Sequence, residues 1–168
     1  MDSTNFRMRR VRALLVFFIL ALAVSGITAI PLQWELTILN RLAGPESAIG
    51  SILPRMAEWI SRVNEGVQNG YGQYPFLAYG TDWLAFAHIV IAIAFIGPLR
   101  DPLKNLWVIE FGMIACALII PWTLLLGSLR GIPFFWMLID MSFGVFGFIP
   151  LWFVRREILA VERLNSLQ

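Results

Sequence analysis

The sequence predicts an all-α integral membrane protein, a four-helix transmembrane bundle with an extracytoplasmic amphipathic helical segment between helices one and two. Three observations predict it. The 168 residues are 58% hydrophobic and only 14% charged, whereas a soluble domain carries about 25% charged residues. Mean hydropathy is +0.72. The apolar residues fall into four runs, each near the roughly 20 residues that cross a bilayer as a helix, and a helix satisfies its own backbone groups in hydrocarbon.

The runs are taken in order within a single membrane domain, 1–168. The first covers 13–32, "ALLVFFILALAVSGITAIPL". Its length favours an uncleaved anchor over a signal peptide cut near "GITA". The segment 33–81 then lies outside the bilayer. It opens with "WELTILNRLAG", a short helical pattern stopped by Gly44 and Pro45. In "ESAIGSILPRMAEWISRVNEGVQ", Ile49, Ile52, Leu53, Met56, Trp59, Ile60, Val63 and Val67 recur at three- and four-residue steps. That is an amphipathic helix, which Pro54 breaks or kinks. "NGYGQYPFLAYGTD" reads as a loop, being rich in glycine and tyrosine. The remaining runs are 82–98, 106–126 and 134–154, with a cytoplasmic tail at 155–168.

Basic residues set the orientation. Nine of the thirteen (Arg7, Arg9, Arg10, Arg12, Arg100, Lys104, Arg155, Arg156 and Arg163) fall on one side of this topology. The positive-inside rule places that side, with both termini, in the cytoplasm. Trp34, Trp83, Trp107, Trp122, Trp136 and Trp152 sit near run ends, as an aromatic belt requires. A bacterial inner membrane is the expected setting.

Few polar groups lie within the runs. A charge in hydrocarbon costs roughly 2.5–3.5 kcal/mol on insertion scales and faces protein rather than lipid. His88, the sole histidine, is six residues past Asp82, so roughly 9 Å deep at 1.5 Å per residue. Asp140 is seven residues past Pro133, roughly 10 Å deep from the same side. His88 shares a stripe with Ala85 and Ala92, and Asp140 with Gly144 and Gly147. Small residues let membrane helices approach closely. His88 and Asp140 are therefore expected to pair, either to fix helix order or as an acid/base pair. Glu110 belongs near the cytoplasmic boundary, snorkelling or pairing with Arg100 or Lys104. Asp82 and Glu110 are the weaker catalytic candidates. Arg130, in "GSLRGIP", and Trp136 are ligand-binding candidates at the outer boundary, where Arg130 also has Asp82 as a possible partner.

No cofactor or metal site is expected. GxGxxG, P-loop, HExxH and GxSxG motifs are absent. One histidine and one cysteine, Cys116, make neither a His-rich metal site nor an intrachain disulfide. The formal net charge of +2 is too small to suggest nucleic acid. Partners are expected to be the lipid bilayer, other membrane subunits or a hydrophobic small molecule. In composition and architecture, few helices with buried acids and a histidine, the chain resembles membrane sterol isomerases of the emopamil-binding class. That resemblance implies only that such a toolkit can run acid/base chemistry on an apolar substrate. Three functions stay open: a non-enzymatic accessory subunit or binder of lipid-like ligands, which is preferred; a small intramembrane enzyme using His88 and Asp140 on a lipid, sterol or isoprenoid-like substrate; and a proton or ion pathway.

Overall fold

The computed structural model describes residues 3–165. Every regular element among them is helical: α1 (Ser3–Ala29), α2 (Leu32–Ala43), α3 (Ala48–Ile52), α4 (Pro54–Gln73), a 3-10 turn (Pro75–Leu77), α5 (Ala78–Ala94), α6 (Ile96–Arg100), α7 (Leu106–Leu129) and α8 (Phe134–Asn165). Four stretches, Asn5–Ala29, Pro75–Arg100, Leu106–Leu129 and Phe134–Leu164, are long and apolar enough to cross a membrane. Helices α1 and α8 extend beyond their apolar runs because charged residues are good helix formers too. Thus α1 includes Arg7 to Arg12, and α8 continues to Asn165 through the stretch read as a tail. At the other end α1 stops at Ala29, ahead of Pro31, which becomes the N-cap of α2.

The chain divides into two compact units, Met1–Leu22 with Ile91–Gln168, and Ala23–Val90. In the first, α1, α7 and α8 share a core. Val11, Leu15 and Phe18 meet Val108, Ile109 and Cys116 and also Leu151, Val154 and Ile158, with Phe95 among them. Phe95 stands at the break between α5 and α6. Pro98, three residues on, has no N–H to offer Ala94, so the helical ladder lapses there. The Phe95 ring packs 4.7 Å from that of Phe18 and occupies the space over Gly112, where a Cβ would lie 2.6 Å from its edge. The turn after α6 is held by Asn105, whose Nδ2 donates to the carbonyls of Gly97 and Asp101.

In the second unit, α2 and α4 are joined by polar side chains. Gln68 Nε2 lies 2.7 Å from the Gln33 carbonyl and 3.0 Å from Thr37 Oγ1. Leu36, Ala43, Ala57 and Ile60 are buried beside this clamp. Pro54 does break the amphipathic segment, and it does so as the first residue of α4, where its missing N–H costs nothing. Ser47 caps α3, accepting from the Gly50 N–H at 2.9 Å. The stretch read as a glycine-rich loop is mostly helix. α4 runs through Gly66, Gly70 and Gly72 to Gln73, and α5 begins at Ala78. Glycine lowers helix stability by only about 1 kcal/mol relative to alanine. The actual stop is Tyr74, held out of the helical region (ψ 75°) ahead of Pro75.

Candidate functional site

His88 lies on α5 in the second unit and is half-buried. Its Nδ1 is 2.8 Å from the Leu84 carbonyl oxygen, one turn back. A carbonyl only accepts, so Nδ1 carries the proton and Nε2 of the neutral ring has a free lone pair. The stripe expected to face a neighbouring helix does so within this unit. A Cβ placed on Gly26 of α1 would come within 2.9 Å of both His88 Cβ and the Ala85 carbonyl oxygen. Helices α1 and α5 therefore touch at backbone distance where the histidine sits. The missing side chain at Gly26 makes this approach possible.

Asp140 lies on α8 in the first unit and is likewise half-buried. Its companions Gly144 and Gly147 do lie against a neighbouring helix, α7. A Cβ on Gly144 would meet the Cys116 carbonyl oxygen at 2.5 Å, and one on Gly147 the Cys116 sulfur at 2.8 Å. Cys116 is thus a small filler at a helix crossing. The expected His88–Asp140 pair would draw its two side chains from different units.

The remaining expected residues fall as follows. Asp82 is exposed and borders a 230 Å³ recess with Tyr79, Trp83 and Phe86, whose rings meet edge to face along α5. Arg130 is exposed at the C-terminal end of α7, and Trp136 is half-buried in the first turn of α8. Among the described residues, no cluster of three or more His, Cys, Asp or Glu could hold a metal ion.

The most organised polar group is at the other end of α7 and α8. Glu110 bonds Arg155, with Nε donating to Oε1 at 2.9 Å. This corrects the expected partners Arg100 and Lys104, the second of which instead pairs with Asp101 at 3.4 Å. The reason is register: α7 and α8 pack closely, and Arg155 of α8 comes level with Glu110 of α7, while Arg100 and Lys104 precede the start of α7. A second cluster joins α1 to α8. Glu157 accepts from Arg7 at 2.7 Å and lies 3.9 Å from Arg10. Arg155 entered the sequence reading only as one of the basic residues that set the orientation, and Glu157 did not enter it, although "RRE" at 155–157, directly after an apolar run, is a signal that could have raised both as pairing residues.

Glu110 and Arg155 close one end of an open-sided groove of about 260 Å³ between α7 and α8. Met113, Ile114, Ala117 and Phe148 line the rest. A charged end followed by a hydrocarbon wall is the layout that suits an amphiphile with a polar head and an apolar chain. The volume is slightly below the roughly 300–1,000 Å³ of enclosed ligand pockets, so the groove would take part of a chain along its open side. Comparison with family models, curated proteins and solved structures finds no match to this chain.

Proposed function

We propose that the chain is a multi-pass membrane protein of a bacterial inner membrane, with both termini cytoplasmic, that holds a lipid-like amphiphile and does no chemistry of its own. Support for immersion in lipid comes from the outward side chains. Phe17, Leu20, Ile114, Leu118, Phe143 and Phe146 are each more than half exposed, on three of the four long apolar helices. Apolar surface of this extent does not stay in water on a monomeric soluble protein. Support for the orientation comes from the nine basic residues at one side of the topology. The observation that carries the binding reading is the α7–α8 groove, apolar along its length and closed by the Glu110–Arg155 pair.

The test is photolabelling of the reconstituted full chain with a phospholipid bearing a diazirine in its acyl chain. Labelled peptides should concentrate around Glu110–Ala117 and Phe148–Arg155, and Ala117→Trp, which fills the groove, should reduce them severalfold. Even labelling over all four apolar helices would overturn the reading.

A second reading is an intramembrane enzyme in which His88, partnered by Asp140, moves a proton on an apolar substrate. The bond from Nδ1 to the Leu84 carbonyl favours it, since it leaves Nε2 as a base in the neutral ring.

A further inference from the structure

Taking the chain as a lipid-embedded holder of an amphiphile, we propose that Trp152, Arg155, Arg156 and Arg163 on α8 form the site for the phosphate of an anionic phospholipid. Arg155, Arg156 and Arg163 lie three, four and eleven residues past Trp152, along one stripe of the helix. Together with Leu159 and Ala160 they line an open recess of about 280 Å³. The stripe is on the side of α8 away from the core, where Leu151, Val154, Ile158 and Val161 are buried.

The charges are arranged for an anion. Two nearby carboxylates are already engaged, Glu110 by Arg155 and Glu157 by Arg7 and Arg10. Arg155 uses its Nε for Glu110, which leaves the terminal fork nitrogens on the other edge of the guanidinium, the geometry that matches phosphate. The Arg156 guanidinium lies 5.8 Å from the centroid of the Trp152 ring, a cation–π contact that orients it. Tryptophan and arginine at the end of an apolar helix are also the groups that sit at headgroup depth. Arg155 lines both this recess and the α7–α8 groove. One lipid could therefore place its phosphate on the stripe and an acyl chain in the groove. Basic pockets at the cytoplasmic ends of membrane helices hold anionic headgroups for this reason.

The experiment compares two acyl-diazirine probes, phosphatidylglycerol and phosphatidylcholine, on the full chain in nanodiscs. The parent chain should label more strongly with the anionic probe. Arg156→Gln and Arg163→Gln should each lower that preference roughly fivefold, while labelling by the neutral probe persists. A variant that failed to fold would lose both labels alike, so a loss confined to the anionic probe marks the headgroup site. Equal labelling of the parent by the two probes would overturn the phosphate site and leave the groove reading standing. Absence of both labels from α7 and α8 would overturn both. Displacement of the anionic probe by millimolar inorganic phosphate would overturn a lipid as the source of the phosphate.

Discussion

Gly26 and Gly66 are both helical, yet they should respond to a side chain in opposite ways. Gly26 is buried, with the Ala85 carbonyl oxygen and His88 Cβ both 2.9 Å from where its Cβ would be. A backbone atom cannot swing aside, so Gly26→Val forces α1 from α5 and should cost about 1–3 kcal/mol. Gly66 is exposed on α4 and has nothing within 4 Å. Gly66→Ala should gain about 0.5–1 kcal/mol by restricting the unfolded chain. Unfolding in detergent reads both, and the same sign for the two would contradict the packing described. At His88 the decisive measurement is a double-mutant cycle with Asp140. If the two side chains pair, His88→Leu and Asp140→Leu should be non-additive, by around 0.6 kcal/mol as is usual between membrane helices. His88→Gln, which can still donate, should lose less than His88→Leu. Strict additivity would remove both the structural and the catalytic version of the pair.

Among the elements, the α2–α4 clamp is the one whose loss should be local. Gln68→Ala removes the bonds to the Gln33 carbonyl and Thr37. It should cost about 1–3 kcal/mol, the penalty for part-buried polar groups left unpaired. Hydrogen exchange should rise in α2 and α4 while α7 and α8 are unchanged; uniform exchange throughout would argue against separate units. This element also shows how far the sequence could be read. Its amphipathic face was legible because Met56, Trp59, Ile60, Val63 and Val67 repeat at helical spacing, and Pro54 was legible as a break or kink in it. Its end was misplaced because Gly70 and Gly72 resemble loop chemistry, whereas Pro75 is what halts the helix. The four apolar runs were legible from composition alone, while the charged ends of α1 and α8 were cut short because hydropathy, unlike helix propensity, falls at arginine. The partner of Glu110 was not legible from the residues around it, since it depends on how two helices far apart in sequence are registered.

For the whole chain, the distribution of charge makes a topological prediction. In a background with Cys116→Ala, cysteines introduced at Gln33 and Gln73 should react with an impermeant thiol reagent in intact cells, and one at Asn105 should not. Labelling at Asn105 alone would invert the orientation, and with it the leaflet that supplies any headgroup to α8.

Helix α8 is unbroken over 32 residues, which at 1.5 Å each is about 48 Å, against a hydrocarbon thickness of about 30 Å. A continuous helix transmits rotation as well as length. One alanine inserted after Phe146 would turn everything beyond it by about 100°. Arg155 would swing away from Glu110, Glu157 from Arg7, and Leu151, Val154 and Ile158 out of their core in a single movement. The insertion should therefore cost more stability than any one of those residues changed to alanine, measured by unfolding in detergent. A mild effect would mean that α8 absorbs the turn partway, near Pro150, and that its two ends are set independently.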